Sequence, residues 1–265
     1  MNREADYYEN RSLWEPSLFL TKEQTGRFSD VISMIPEDVV TLLDIGCGNG
    51  VFINKINDSK RYYDAVGLDR SKVALHTARK HFGVTVISGN IAAIPFNDGS
   101  FHIVTSLETL EHLLWSDYKA ALSEMERVSS RYILVNVPFN EKRVFYKCPN
   151  CGSRFPASFH LRSYGMENLE SLFRGARLLK TKKTFISYMS LPEYMLWLMN
   201  NRLNPFGPDS LCPVCGFRRQ AIAKMSLFAN PAWLAVKRII CHPVFKSVFK
   251  IKLTEEVICL YQKAE

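Results

Sequence analysis

Cys148-Pro-Asn-Cys151-Gly and Cys212-Pro-Val-Cys215-Gly repeat one pattern, two thiols three positions apart in a turn closed by glycine. Four thiolates offered two by two suit a closed tetrahedral zinc site, structural because no coordination position is left for catalysis. Local redox pairs are the competing reading, but neither motif has the thioredoxin setting. Cys47, Cys241 and Cys259 are left as ordinary thiols. A second pattern, Asp44-x-Gly46-x-Gly48-x-Gly50, ends an apolar β-rich run. Glycines there let the backbone approach a ligand, and the following helix aims its first amides at it. The G-x-G-x-G spacing leaves less room for a pyrophosphate than G-x-G-x-x-G, and Asp44 would repel phosphate but suit a cation. Asp69 ends the next strand, 25 residues on (69 − 44), where a carboxylate can take two ribose hydroxyls. A cationic amino-acid end joined to a ribose describes S-adenosylmethionine.

A sulfonium methyl is already activated, so the main task is alignment of acceptor, methyl and sulfur. A hydroxyl acceptor must also lose a proton, which a histidine can take. His112 and His160 are the catalytic candidates, and Glu111 is expected to orient neighbouring groups. His76, His81 and His102 read as structural, and His242 carries no signal.

These residues need a scaffold. Residues 7–35 show helical apolar spacing, and Pro36 closes that segment. Strands then alternate with helices: "VVTLLDI", "YYDAVGLD", "VTVIS", "FHIVTS" and "RYILVNV" are the strands. Ser71 is positioned to cap a helix that Gly83 stops. Ser116 is read as the cap of a helix with Ala121, Leu122, Met125 and Val128 on one face, and Ser163 as the cap of another with Met166 and Leu169 inward. "LLKTKKTFIS" and "EEVICLYQKA" complete seven strands. The pattern predicts an α/β, Rossmann-like, mostly parallel seven-stranded sheet with helices on both faces. A zinc-clasped insertion between strands six and seven, residues 188–253, exceeds an ordinary connection. The expected organisation is an N-terminal helical lid at 1–35, a core at 36–187 and 254–265 carrying the knuckle at 148–152, and the insertion as a cap. Tyr7, Tyr8 and Trp14 are candidates to fold over the cofactor.

"LLDIGCGNG", "GLDRS", "GNIAAIPFNDGSFHIVTSLETLEHL" and "RYILVNVP" stand in the order and spacing of the class I S-adenosylmethionine-dependent methyltransferases, and resemble the small-molecule branch with an L-E-H-L signature. The resemblance covers about residues 35–186 and the last strand. It implies cofactor positions at Asp44, Gly46, Cys47, Gly48, Gly50, Asp69, Arg70, Asn90, Ile91, Leu107 and Glu108. The glycine loop would cradle the methionine moiety and Asp69 the ribose. Asn90 and Ile91 would border the adenine, with the Asn90 carbonyl accepting from its amino group where relatives usually carry Asp. Leu107 and Glu108 would line the methyl pocket. The Asn/Asp-Pro-Pro-Tyr signature of enzymes that methylate amide or adenine nitrogens is missing after strand four, where Ser106-Leu107-Glu108-Thr109 stands.

The 265 residues are 47% hydrophobic and 23% charged, sufficient for a core without disulfides. The net charge of +8 favours acidic partners such as phosphate esters, nucleic acid or an anionic membrane face. The acidic N-terminus is unlike a secretory signal, and no apolar run reaches the ~18 residues of a membrane helix. The expected setting is cytoplasmic, with contact to a membrane surface or lipid-linked substrate through the aromatic and basic insertion. A small accessory core is the default role for that segment, with a lid and a dimer surface as the other readings. The leading expectation is methyl transfer to a small-molecule hydroxyl, on a sugar or lipid-linked glycan precursor. RNA methylation and a non-catalytic cofactor-binding scaffold are the alternatives.

Overall fold

The computed structural model describes residues 8–9, 14, 21–59, 64–143, 145–156, 158–190, 212–217 and 250–264. The chain divides into two compact units. The larger comprises residues 5–142, 160–186 and 255–265, and the smaller residues 1–4, 143–159 and 187–254.

In chain order, helix α1 (Lys22–Met34) precedes strand β1 (Thr41–Ile45), α2 (Val51–Asn57), β2 (Asp64–Asp69), α3 (Lys72–Phe82) and β3 (Val86–Ser88). β4 (Phe101–Leu107), a single 3₁₀ turn (Leu110–His112), α4 (Trp115–Val128) and β5 (Ser129–Pro138) follow. A short hairpin, β6 (Phe145–Lys147) with β7 (Arg154–Pro156), carries the first cysteine pair. α5 (Met166–Glu170), β8 (Ala176–Ser190) and β9 (Lys250–Lys263) complete the described elements. The main sheet has seven strands in the order β3-β2-β1-β4-β5-β9-β8. β1 through β5 pair in parallel, and β9 runs antiparallel to β5 from Tyr132↔Gln262 to Pro138↔Glu256. The predicted sixth and seventh strands are therefore β8 and β9, both longer than their apolar patterns suggested.

Successive residues of a strand point to opposite faces, so a sheet buried on both sides needs apolar residues at every position. Leu42, Ile103, Leu134 and Ile258 face one core, with Phe28 and Val31 of α1, Phe52 and Ile53 of α2, and Leu75 of α3. Their neighbours Leu43, Val104, Ile133, Val135 and Val257 face the other, with Tyr118 and Met125 of α4 and Leu169 of α5. The expected two-sided α/β architecture is present.

Local signals were partly misread. Ser71 does cap α3, accepting from the Ala74 amide, and Gly83 ends it at φ 62°. The first described helix is shorter than the predicted 7–35, because Thr21 and Gln24 form a reciprocal capping box that starts it at Lys22. Ser116 is not a cap: α4 starts one residue earlier behind Leu114, and the Ser116 hydroxyl bonds Asp117 within the first turn. Ser163 is not a cap either, since α5 is capped at Gly165, whose amide donates to the Asn168 side chain. Of the insertion at 188–253, only residues 188–190, 212–217 and 250–253 are described. Its predicted lid, membrane-facing and dimer roles fall mainly on residues outside the described set.

Leu43 is fully buried where β1 meets α4. Leu43→Ala should cost about 2–5 kcal/mol in chemical denaturation, whereas Thr21→Ala, which removes only an exposed cap, should cost about 1 kcal/mol.

Candidate active site

The carboxyl ends of β1, β2 and β4 converge on the glycine loop. Gly46 sits at φ 72°, and a Cβ there would lie 2.3 Å from the Thr109 hydroxyl. No side chain fits, so the loop packs directly on the turn after β4. The Gly48 amide donates to Asp69 Oδ2 and the Ser71 amide to Asp69 Oδ1, each at 2.8 Å. This fixes the carboxylate at the tip of β2. Burial raises Asp69 above its ordinary value while these amides oppose the shift. Asp44 lies beneath the loop, accepting from the Thr105 hydroxyl at 2.7 Å. Burial pushes it up to about 7 against that bond, so a nearby cation would favour its ionised form.

Other sequence candidates fare differently. Cys47 is buried, and burial raises its thiol well above the ordinary value, so its contribution to the loop is its backbone. Arg70 is exposed and lies 5.3 Å over the Tyr8 ring. The Asn90 side-chain oxygen accepts from the Ala92 amide at 3.0 Å, which leaves one of its two lone pairs. Ile91 and Leu107 are half-buried against the two cores.

The N-terminal residues fold onto the same loop. Trp14 donates its indole N–H to the Tyr8 carbonyl at 2.7 Å, and the Ser71 hydroxyl donates to that carbonyl at 2.8 Å. Asn49 Nδ2 donates to the Trp14 carbonyl, and a Cβ on Gly48 would fall 2.8 Å from the Trp14 ring. Glu9 accepts from the Lys72 and Val73 amides, adding an acidic cap to α3. Tyr7 lies outside the described residues.

Beyond β4 the backbone turns sharply at Glu108, φ 50°. Arg27 of α1 reaches Glu108 at 2.7 Å and Glu256 of β9 at 3.2 Å, and Asn136 of β5 donates to Glu256 at 2.7 Å. Two carboxyls share one guanidinium, so their affinities for protons separate. Burial and then Glu108 push Glu256 up to about 9. Burial alone would raise Glu108, but the hydrogen bond with Glu256 and the Arg27 charge bring it below the ordinary value.

Next along the chain, Leu110–His112 forms a single turn held from outside. The Leu161 amide donates to the Glu111 carbonyl at 2.7 Å, and the Arg162 guanidinium donates to the carbonyls of Leu110 and Leu113. This brings His160 to His112, with ring centroids 4.8 Å apart at 74°. Glu141 approaches His160 Nδ1 at 2.7 Å. A carboxylate can only accept, so Nδ1 carries the proton of this bond.

Residues 42–131, from β1 through α4 to the start of β5, match the family model of the methyltransferase domain. The matched stretch is about a third of the chain. A Mycolicibacterium smegmatis protein named as an S-adenosylmethionine-dependent methyltransferase is 33% identical over 33% of this chain and 33% of its own length. An O-methyltransferase of Penicillium expansum is 26% identical over 59% of this chain and 56% of its own. The chain thus spans between a third and just over half of the curated relatives it matches. A chain from the complex of the Haloferax volcanii Trm112 methyltransferase activator with a methyltransferase shares the fold at a TM-score of 0.56, with 14% identity, covering 100% of this chain and 99% of that one.

Outside that matched stretch, the smaller unit contains the four cysteines. Their sulfur atoms lie within 4.8 Å of one another. Cys148 to Cys215 is 3.6 Å and Cys151 to Cys212 is 3.7 Å. Those separations far exceed a disulfide's ~2.05 Å. They fit the ~3.8 Å edge of a tetrahedron with zinc–sulfur bonds of ~2.3 Å. The two turns are built alike: Gly152 and Gly216, at φ 73° and 71°, donate to the carbonyls of Cys148 and Cys212. Phe155, with Tyr146, Phe159 and Phe217 around it, packs against them.

Sequence reading missed Arg27, Glu256, Asn136, Glu141 and Arg162. Each belongs to an element recognised for its apolar pattern, and only the fold brings them together. A buried glutamate in the apolar run of β9 was the one available signal. Glu256, with a folded value near 9 against an ordinary 4.5, favours the folded state fully below about pH 4.5, and that contribution fades as pH rises toward 9. Glu256→Gln stays neutral throughout. The wild-type melting temperature should therefore fall relative to that variant between about pH 5 and 9, and parallel profiles would contradict the assignment.

Proposed function

We propose that the chain binds S-adenosylmethionine across the Gly46–Gly50 loop and transfers its methyl to a hydroxyl of a small-molecule acceptor. The observation that carries this reading is the Asp69 carboxylate, pinned by two backbone amides beside that loop. A carboxylate held so can take ribose hydroxyls with little reorganisation. The loop's positive-φ glycines make room for the methionine moiety, and Asp44 beneath it complements the cationic end. Tyr8 and Trp14 act as a cover that excludes water.

The acceptor side follows from the histidine pair. His160, oriented by Glu141, offers an Nε2 lone pair, and His112 stands beside it. Either can take a hydroxyl proton as the oxygen attacks the methyl carbon, the carbon–sulfur bond breaks and its electron pair returns to sulfur. A net charge of +8 suits an acceptor bearing phosphate, such as a sugar phosphate or lipid-linked glycan precursor. Among the described residues no helix is long and apolar enough to cross a membrane, so contact with a lipid-linked substrate would be made from the surface. The four cysteines hold one structural zinc that joins the two turns.

Two measurements bear on this. Calorimetry should show S-adenosylmethionine binding in the wild type and at least a tenfold loss in Asp69→Ala; unchanged affinity would overturn the cofactor site. Freshly purified protein should contain close to one zinc, most of which is lost in Cys212→Ser together with thermal stability. A metal-free wild type would overturn the clasp.

A further inference from the structure

Glu111 is fully buried, and among the described residues neither carboxylate oxygen has a hydrogen-bond partner. A buried carboxyl usually finds donors, and a charged one left without them is costly. Its surroundings supply none of the expected cations, because Arg27 is occupied by Glu108 and Glu256 and the Arg162 guanidinium by backbone carbonyls. What stands next to it is the histidine pair. One ligand atom each from Glu111, His112 and His160 fall within 4.8 Å of one another.

Two imidazoles and one carboxylate with open positions form a donor set for first-row divalent metals. Glu141 strengthens the case. A carboxylate on the far nitrogen of an imidazole fixes its tautomer, orients the ring and raises the basicity of the coordinating nitrogen. The His160–Glu141 pair has that arrangement at 2.7 Å, with side chains only 15% and 12% exposed. Metal–ligand bonds of ~2.1 Å would draw the three atoms to ~3 Å apart.

We propose that Glu111, His112 and His160 bind one divalent transition-metal ion, separate from the four-cysteine cluster, and that its open positions take a hydroxyl oxygen of the acceptor. The purpose of the ion rests on the methyltransferase reading above; its binding does not. With the ion in place the imidazoles are ligands rather than bases. The bound hydroxyl loses its proton to solvent water because the cation lowers its pKa. The resulting alkoxide attacks the methyl carbon, the carbon–sulfur bond breaks toward sulfur, and a neutral thioether leaves. This narrows the acceptor to molecules that present an oxygen, and favours those with two adjacent oxygens able to chelate.

The test is Mn²⁺ titration of the full-length protein with its zinc retained, followed by the loss of the free-ion paramagnetic signal. Mn²⁺ prefers oxygen and nitrogen donors and leaves the thiolates alone. Wild type should take up one equivalent. Glu111→Gln and His160→Asn should each weaken uptake at least tenfold, and Glu141→Gln by roughly ten- to a hundredfold as an outer partner does. S-adenosylmethionine affinity, measured on the same samples, should remain within about twofold in Glu111→Gln. Absence of a one-to-one site in the wild type, or unchanged uptake in Glu111→Gln, would overturn the proposal. The cofactor arm keeps its failure distinct from that of the methyltransferase reading. Should Glu111→Gln fail to fold, His160→Asn, at a half-buried position, decides the matter.

Discussion

One guanidinium at the carboxyl edge of the sheet sets the geometry of everything placed there. Arg27 joins α1 to Glu108 after β4 and to Glu256 on β9, and Asn136 of β5 completes the set. Four elements distant in sequence meet through one charge. Such a buried network contributes less to net stability than its contacts imply, because taking the ions out of water offsets much of the attraction. Its consequence here is positional. Glu108 is held at φ 50°, which turns the chain off β4 and sets Leu110–His112 over the sheet edge.

From that turn the two halves of the site diverge. On one side Thr109 presses against Gly46, where no Cβ fits, so the turn and the glycine loop are fixed by direct contact. On the other side Leu161 and Arg162 bond the turn's carbonyls and deliver His160 to His112. A cofactor on the loop and an acceptor at the histidines would thus be placed by one short stretch, Glu108 to His112. The four-cysteine cluster needs none of this geometry. Its sulfurs are arranged by two like-built turns.

Much of this was legible in the sequence because it depends on local rules. Alternation of β-rich runs with amphipathic helices gives a two-sided parallel sheet, and glycines ending β1 mark a close backbone approach. Ser116 shows where local reading fails: α4 starts at Trp115 behind Leu114, and the Ser116 hydroxyl bonds Asp117 instead. Arg27 and Glu141 were beyond reach for another reason: a lone charge in the sequence looks like a solvated face until the fold supplies its opposite. Glu111 accepts the Leu161 amide at its backbone carbonyl, while its carboxylate stands unpartnered among the described residues beside two imidazoles.

One short turn would place cofactor and acceptor face to face, and a crystal structure with the unreactive product S-adenosylhomocysteine would show whether it does. The ribose hydroxyls should meet Asp69, the amino-acid end should lie along Gly46–Gly50, and the sulfur should point toward His112 and His160. Density for the ligand elsewhere, or a sulfur turned away from the histidine pair, would contradict it.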